Sequence, residues 1–309
     1  MEDAYGAERS RVWLGIGSAV CGGRAWLDRR VHRGGDGMKA KVLNYPGSKW
    51  GLAEEIAAIL PEHRTYLEPY FGSGAVFFTK APSAIEIVND RDGEVVNFFR
   101  MVRDAPWELA RRLELTPYAR DAFDEAWEAN NPLYGGDPME RAVAFAIRSR
   151  MGFGYKCHTK TGFKIDLVGR EAGYAVREWK ATPEGVMECA RRLRDAYIEN
   201  RPALELIRKC NDQKAVIYCD PPYLMDTRGG RQYNHEMSEQ DHEELLHELL
   251  RSRASVILSG YPHPMYDDAL RGWYRVERDS RNQNKEKRTE VLWCNFEPEG
   301  AGQMRMEDV

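Results

Sequence analysis

The sequence predicts an α/β fold built on an open, doubly wound sheet, and three observations carry that expectation. Ala215-Val216-Ile217-Tyr218-Cys219 is a short apolar run, the pattern of a buried strand. It stops at Asp220-Pro221-Pro222-Tyr223, because two prolines cannot continue a hydrogen-bonded ladder. Upstream, Tyr66-Leu67-Glu68-Pro69-Tyr70-Phe71-Gly72-Ser73-Gly74 carries a short strand into a Gly-x-Gly turn, and Ala75-Val76-Phe77-Phe78 opens an apolar helix. Ala84-Ile85-Glu86-Ile87-Val88 then reads as the next strand, ending at Asn89-Asp90. Together these make one nucleoside-binding half of a doubly wound sheet.

Each element has a chemical use. In open α/β sheets ligands bind beyond the carboxyl ends of the strands. There Asp220 offers an acceptor carboxylate and Tyr223 a ring, on a backbone stiffened by Pro221 and Pro222. That suits a flat base with an exocyclic amine, although a Pro-Pro turn alone has no such meaning. Gly72 and Gly74 let a ligand approach the backbone closely, but the third glycine of the dinucleotide fingerprint is absent. Asp90 stands about 20 residues past the glycine turn, where an acid bonds a ribose diol. Helix capping by Asn89 or Asp90 is the competing use. Tyr45-Pro46-Gly47-Ser48-Lys49-Trp50 is a turn that opens a helix over Leu52 to Leu60.

The order of these motifs resembles the Dam-type (D12 class) DNA adenine-N6 methyltransferases. The resemblance rests on Tyr45–Lys49, Glu68–Gly74, Asn89-Asp90 and Asp220–Tyr223, and covers roughly residues 40 to 297. It continues through Val256-Ile257-Leu258-Ser259-Gly260 and Arg288-Thr289-Glu290-Val291-Leu292-Trp293, similar to the family's later strands. It implies a Rossmann-like doubly wound methyltransferase sheet with an inserted, mainly helical target-recognition domain. It also implies S-adenosyl-L-methionine as methyl donor and a flipped adenine in double-stranded DNA as acceptor, with no metal. On the matching positions, Asp220, Pro221, Pro222 and Tyr223 are expected to be catalytic. Tyr45, Lys49, Glu68, Phe71, Gly72, Gly74, Asp90 and Asp220 are expected to hold the donor, with Lys49 and Tyr45 near its methionine end. Tyr45 stands where the family often has tryptophan. An N4-cytosine methyltransferase usually has Ser at position 220, and a C5-cytosine enzyme needs a Pro-Cys pair that this chain lacks. A DNA-binding relative that has lost catalysis is the reading from another class, and the intact motifs speak against it.

Composition agrees. The chain has 309 residues, 42% hydrophobic and 30% charged, as expected of a soluble globular protein with room for a substantial core. No apolar run reaches membrane-span length and no secretory signal is evident, so a cytoplasmic location and no membrane partner are expected. Six scattered cysteines with no Cys-x-x-Cys spacing read as reduced thiols, not a metal site. A net charge of −4 excludes a generic nucleic-acid coat but not a local basic face. Two stretches are basic: Arg148 to Arg170, interleaved with Phe153, Tyr155 and Phe163, and Arg271 to Arg288. The first falls inside the expected insertion, so Arg150, Tyr155 and Lys160 are expected to face DNA, with Arg150 reading a base.

The expected division is 38–100 with 203–299 as the catalytic domain, 101–202 as the target-recognition domain, and 300–309 as a tail. Residues 1–37 match nothing in the family. Gly34-Gly35-Asp36-Gly37 has codons that could spell a ribosome site, so a translated leader before a natural start at Met38 is expected. Helices are expected over 94–130 with a break at Pro106, over 139–148, over 183–197, and over 238–252 with a Leu245-Leu246-Leu249-Leu250 stripe. A monomer is expected. A cognate restriction nuclease, chromosome marking and viral genome defence are all left open.

Overall fold

Short apolar strands separated by helices must lie parallel and be covered on both faces, and that is the arrangement seen. The structure, a computed structural model, describes residues 41–128, 136–165, 173–228, 230–281, 287–299 and 304–305. The leader and the expected start at Met38 lie outside the described residues. Five parallel strands come first: β1 (Thr65–Glu68), β2 (Ile85–Asn89), β3 (Ala196–Glu199), β4 (Ala215–Cys219) and β5 (Ser255–Gly260). With β6 (Tyr274–Arg281), β7 (Lys287–Cys294) and β8 (Met304–Arg305) they form one sheet in the order β3-β2-β1-β4-β5-β7-β6-β8. β7 runs antiparallel between β5 and β6.

This order decides where the site lies. The chain steps from β1 outward to β2 and β3, then returns to the other side of β1 for β4 and β5. The strand order therefore reverses between β1 and β4, and a crevice opens at their carboxyl ends. Register places Leu67 opposite both Ile87 and Ile217, so Asp220 leaves β4 two residues beyond the level of Glu68, at the same end of the sheet.

Ten helices flank the sheet among the described residues: α1 (Ala53–Ala58), α2 (Ala75–Thr79), α3 (Gly93–Asp104), α4 (Pro106–Leu115), α5 (Arg120–Glu128), α6 (Pro138–Met151), α7 (Tyr174–Leu193), α8 (Ala203–Lys209), α9 (Glu239–Leu250) and α10 (Pro264–Ala269). The break at Pro106 is found between α3 and α4. In α3, Val95, Phe98, Phe99 and Val102 are fully buried, and Phe99 meets Phe71 and Phe78 of the glycine-turn region. On α9 the cap is Ser238, in a reciprocal box with Asp241. Leu245, Leu246 and Leu249 pack under β4 and β5, but Leu250 is turned outward.

Three expectations need correction. The helix expected over 183–197 begins at Tyr174 and ends at Leu193, with Pro183 inside it. Buried Trp179, Val186, Met187 and Leu193 carry the helix through the proline, since tertiary packing supplies most helical stability. Ala196–Glu199 is not helical but forms β3, paired with β2, so the central sheet resumes well before residue 203. The expected tail also contributes to the sheet, because Met304 and Arg305 pair with β6.

Candidate active site

A cavity of about 470 Å³ lies at the switch point, within the size range of small-molecule sites. Its wall draws on the Tyr45 turn, the glycine turn, the ends of β1, β2 and β4, and the loop 231–237. Tyr45, Lys49, Glu68, Phe71, Gly72, Asp90, Asp220 and Pro222 all line it. Gly74 does not, and its place is structural. With φ +67° it starts α2, and a Cβ there would strike the rings of Phe71 and Phe78. Gly72, at φ +49°, lets the ring of Tyr45 lie against it.

Asp90 is fixed by the backbone on both oxygens. Gly72 N–H donates to Oδ2 and Asp92 N–H to Oδ1, each at 2.8 Å. Each oxygen keeps a further lone pair for a donor in the cavity. Burial pushes the Asp90 carboxyl up to about 7, with the two N–H groups opposing. Neither Asn89 nor Asp90 caps α3. Asp92 does, accepting from Glu94 N–H at 2.9 Å, while Asn89 ties Pro69 to Arg201. At the end of β1, Glu68 accepts from the Tyr66 hydroxyl at 2.7 Å. Burial outweighs that bond and pushes Glu68 up to about 8.

Asp220 sits in a cage of charges. Lys49 Nζ is 2.9 Å from Oδ1 and 3.0 Å from Oδ2, and Ser259 Oγ donates to Oδ1 at 2.8 Å. Lys49 also donates to Gly47 O at 2.8 Å, which folds its chain back over its own turn. Burial alone would lower the Lys49 pKa, but Asp220 and Glu290 outweigh it and hold the ammonium above its ordinary value. Lys49 is thus committed to Asp220, whereas its motif implied a place near the donor's methionine end. Tyr223 departs from expectation as well. Its ring is 7% exposed and lies outside the cavity wall, facing Lys49 at 4.8 Å and Tyr261 at 4.7 Å. Its hydroxyl donates to Glu290 Oε2 at 2.6 Å, which turns the ring inward instead of leaving it open to a base. Pro221 is buried and Pro222 faces the cavity.

Sequence reasoning missed Ser259 and Glu290 as site residues, and also Tyr233. Tyr233 lies over Gly47, 6.1 Å from the ring of Tyr45, and is fixed by a buried Arg228–Glu236 pair at 2.6 Å. A Ser in the apolar run of β5 was the available signal for Ser259, and for Glu290 it was an acid at the point where the polar half of β7 gives way to buried Val291–Cys294.

Arg150 and Lys160, both expected to face DNA, are placed differently. Arg150 is 5% exposed, and its guanidinium donates to Val42 O at 3.1 Å, to Lys41 O and to Asn44 Oδ1. It braces the segment that enters the Tyr45 turn, and a guanidinium buried and bonded in this way is not presented to a base, contrary to the base-reading expectation. Lys160 is exposed and pairs with Asp124 at 2.8 Å. For Tyr155 only the backbone is described, in a 3-10 turn over Phe153–Tyr155. Three arginines of the second basic stretch pair with acids outside it, Arg271 with Asp268, Arg275 with Asp267 and Arg278 with Glu55. No group of three or more His, Cys, Asp or Glu among the described residues is placed to hold a metal ion. No described helix is long and apolar enough to cross a membrane.

Comparison with known proteins adds a family. Residues 45–287 match the model of the D12 class N6 adenine-specific DNA methyltransferases. The chain is 28% identical over 295 residues to a DNA N-6-adenine-methyltransferase of Escherichia phage P1, covering 86% of this chain but 36% of that protein. It therefore spans about a third of the phage protein's length. It is 24% identical to the type II methyltransferase M1.LlaDCHI of Lactococcus lactis subsp. cremoris, covering 84% of this chain and 98% of the relative. Against a DNA adenine methylase of Salmonella typhi the identity is 25%, covering 76% of this chain and 84% of the relative.

Proposed function

Because the chain belongs to the D12 class N6 adenine-specific DNA methyltransferases, we propose that it methylates N6 of an adenine turned out of double-stranded DNA. S-adenosylmethionine supplies the electrophilic methyl when bound. The observation that carries the reading is Asp220 at the switch point, held from both sides by Lys49 and Ser259 and facing the same cavity as Asp90.

The cavity fits the donor. Asp90, already oriented by Gly72 and Asp92 N–H groups, accepts from the ribose hydroxyls, and Tyr45 and Phe71 wall the site. Asp220 accepts from the adenine amine, as does the Pro221 carbonyl. The lone pair of N6 is delocalised into the ring, and those bonds favour a pyramidal nitrogen with the pair directed at the methyl. Holding the two reactants in line supplies roughly 7–11 kcal/mol of the barrier reduction. The C–N bond forms as the S–C bond breaks, and the amine then loses one proton. A helical insertion of narrower extent than 101–202, bearing Lys160 on its surface, would hold the duplex. We extend the proposal to a monomer inside the cell. The type II name of the Lactococcus relative supports a cognate restriction nuclease as partner.

The test is incubation with genomic DNA and labelled donor, followed by long-read sequencing of modified positions. N6-methyladenine at a fixed site is expected. Asp220→Ala should lower turnover by at least roughly 10²-fold, the scale of losing a group aimed at developing charge, while calorimetry still detects donor binding. Methylcytosine as product, or near-normal turnover of the variant, would refute the assignment.

A further inference from the structure

Lys49 presents a problem for Asp220. A carboxylate with an ammonium within 3.0 Å of both oxygens is electrically neutralised. Yet methyl transfer from a sulfonium moves positive charge onto N6, and a neutral pair stabilises that charge poorly. Catalysis of this kind needs a fixed negative potential where the charge develops.

Glu290 supplies it. On β7 it follows the Arg288-Thr289 pair and sits one residue before Val291, the partner of Gly260 at the carboxyl end of β5. It is 8% exposed in a strand whose following residues, Val291 to Cys294, are all buried and apolar. Its Oε2 accepts from the Tyr223 hydroxyl at 2.6 Å and lies 3.9 Å from Lys49 Nζ. Ser259 joins the same group, 3.3 Å from the Tyr223 hydroxyl and bonded to Asp220. A buried acid in a sheet interior costs stability unless paired, and its partners are Tyr223 and Lys49, the second of which also holds Asp220. With Asp220 and Lys49 cancelling, Glu290 in its ionised form leaves the cage with one net negative charge.

We propose that Glu290 is a positioning residue of the acceptor site, anchoring Tyr223 and Lys49 and keeping the Lys49–Asp220 pair net anionic. The inference rests on the methyl-transfer reading of the same cavity. Glu290 lies outside the cavity wall and acts through its two partners, so it should set turnover and not donor affinity. Burial raises the Glu290 pKa and the nearby Asp220 adds to it, with Lys49 and the Tyr223 hydroxyl opposing. Ionisation of Glu290 then contributes a rising limb to turnover as pH increases.

The test compares Glu290→Gln with the full wild-type chain, using labelled donor and duplex DNA for turnover and calorimetry for donor affinity. Glu290→Gln keeps an acceptor for Tyr223 but loses the charge. Turnover should fall by roughly ten- to a hundredfold, with donor Kd unchanged and the rising limb of the pH profile flattened. Glu290→Asp should recover part of the rate. Turnover near wild type, or a loss confined to donor affinity, would overturn the proposal. If Glu290→Gln does not fold, Tyr223→Phe carries the same decision, because it keeps the ring and removes the hydroxyl that Glu290 holds. Reduced turnover with intact donor affinity supports the proposal, and unchanged turnover sinks it. A wild-type chain with no transfer to any base would instead refute the methyl-transfer reading itself.

Discussion

At the carboxyl ends of β1 and β4, residues from four separate motifs meet in one cavity. In the basic stretch that starts at Arg148, neighbours in sequence part company: Arg150 is buried and Lys160 is exposed. The two regions differ in what fixes them. Pro221-Pro222 and the Gly-x-Gly turn restrict the backbone itself, so the position of Asp220 or Asp90 follows from local rules. A run of arginines and lysines restricts nothing, and which face each side chain takes is decided by packing that the run does not encode. Arg148 shows it most sharply: it is fully buried between Trp127 and Phe145.

The largest test of this contrast is Arg150→Ala. It strips partners from Val42 O, Lys41 O and Asn44 Oδ1 beside the Tyr45 turn. The expected loss is roughly 2–5 kcal/mol of stability, the cost of orphaned buried groups. The midpoint of urea unfolding measures it. Unchanged stability together with altered site choice would restore Arg150 to a DNA-facing role.

A subtler test lies on the donor side. Asp90 has a folded-state pKa raised to about 7. Between its unfolded value and about 7 the native state binds more protons than the unfolded chain, so this carboxyl makes the free protein less stable as pH rises through that window. Glu68, raised to about 8, acts in the same direction. Ribose hydroxyls need an acceptor, so donor binding should strengthen as pH rises through about 7 and should release a proton. The gain in melting temperature on adding S-adenosylmethionine should be larger at pH 8 than at pH 6. Asp90→Asn should flatten that difference and weaken binding by roughly 1.5–3 kcal/mol. Donor affinity that is independent of pH in the wild type would show that Asp90 does not contact the ribose.

How far the molecule is legible follows the same division. The strands at 65–68, 85–89 and 215–219, the caps at Asp92 and Ser238 and the break at Pro106 all obey local patterns, although the acid that caps α3 is two residues past the one anticipated. β3 was misread because Ala196-Tyr197-Ile198-Glu199 is half exposed at the sheet's edge and lacks the full apolar run. Ser259 and Glu290 did not stand out as site residues because a polar residue in a strand takes its meaning from partners elsewhere in the fold, Asp220 for Ser259 and Tyr223 for Glu290. Tyr223 was recognised by its motif, but the direction of its ring depends on Glu290, which lies 67 residues away.

The smallest expected effect falls on Lys160, and it asks whether the insertion has a DNA face at all. Its pair with Asp124 is solvent-exposed, and such pairs contribute about 0–1 kcal/mol. Lys160→Ala should therefore leave stability almost unchanged. If the ammonium meets a phosphate, DNA affinity should weaken evenly across sequences, and the slope of log K against log salt should shrink by about 0.9. Asp124 sharpens the point, because the phosphate must compete with it. Asp124→Asn releases Lys160 and should tighten DNA binding, with the methylated site unchanged. A base-reading side chain would behave otherwise, relaxing site preference by about 1–3 kcal/mol per contact. Opposite shifts in affinity from the two substitutions, at constant site choice, would place Lys160 on the phosphate backbone. If neither substitution moves affinity or salt slope, Lys160 belongs to a solvated face, and the duplex must lie against another surface.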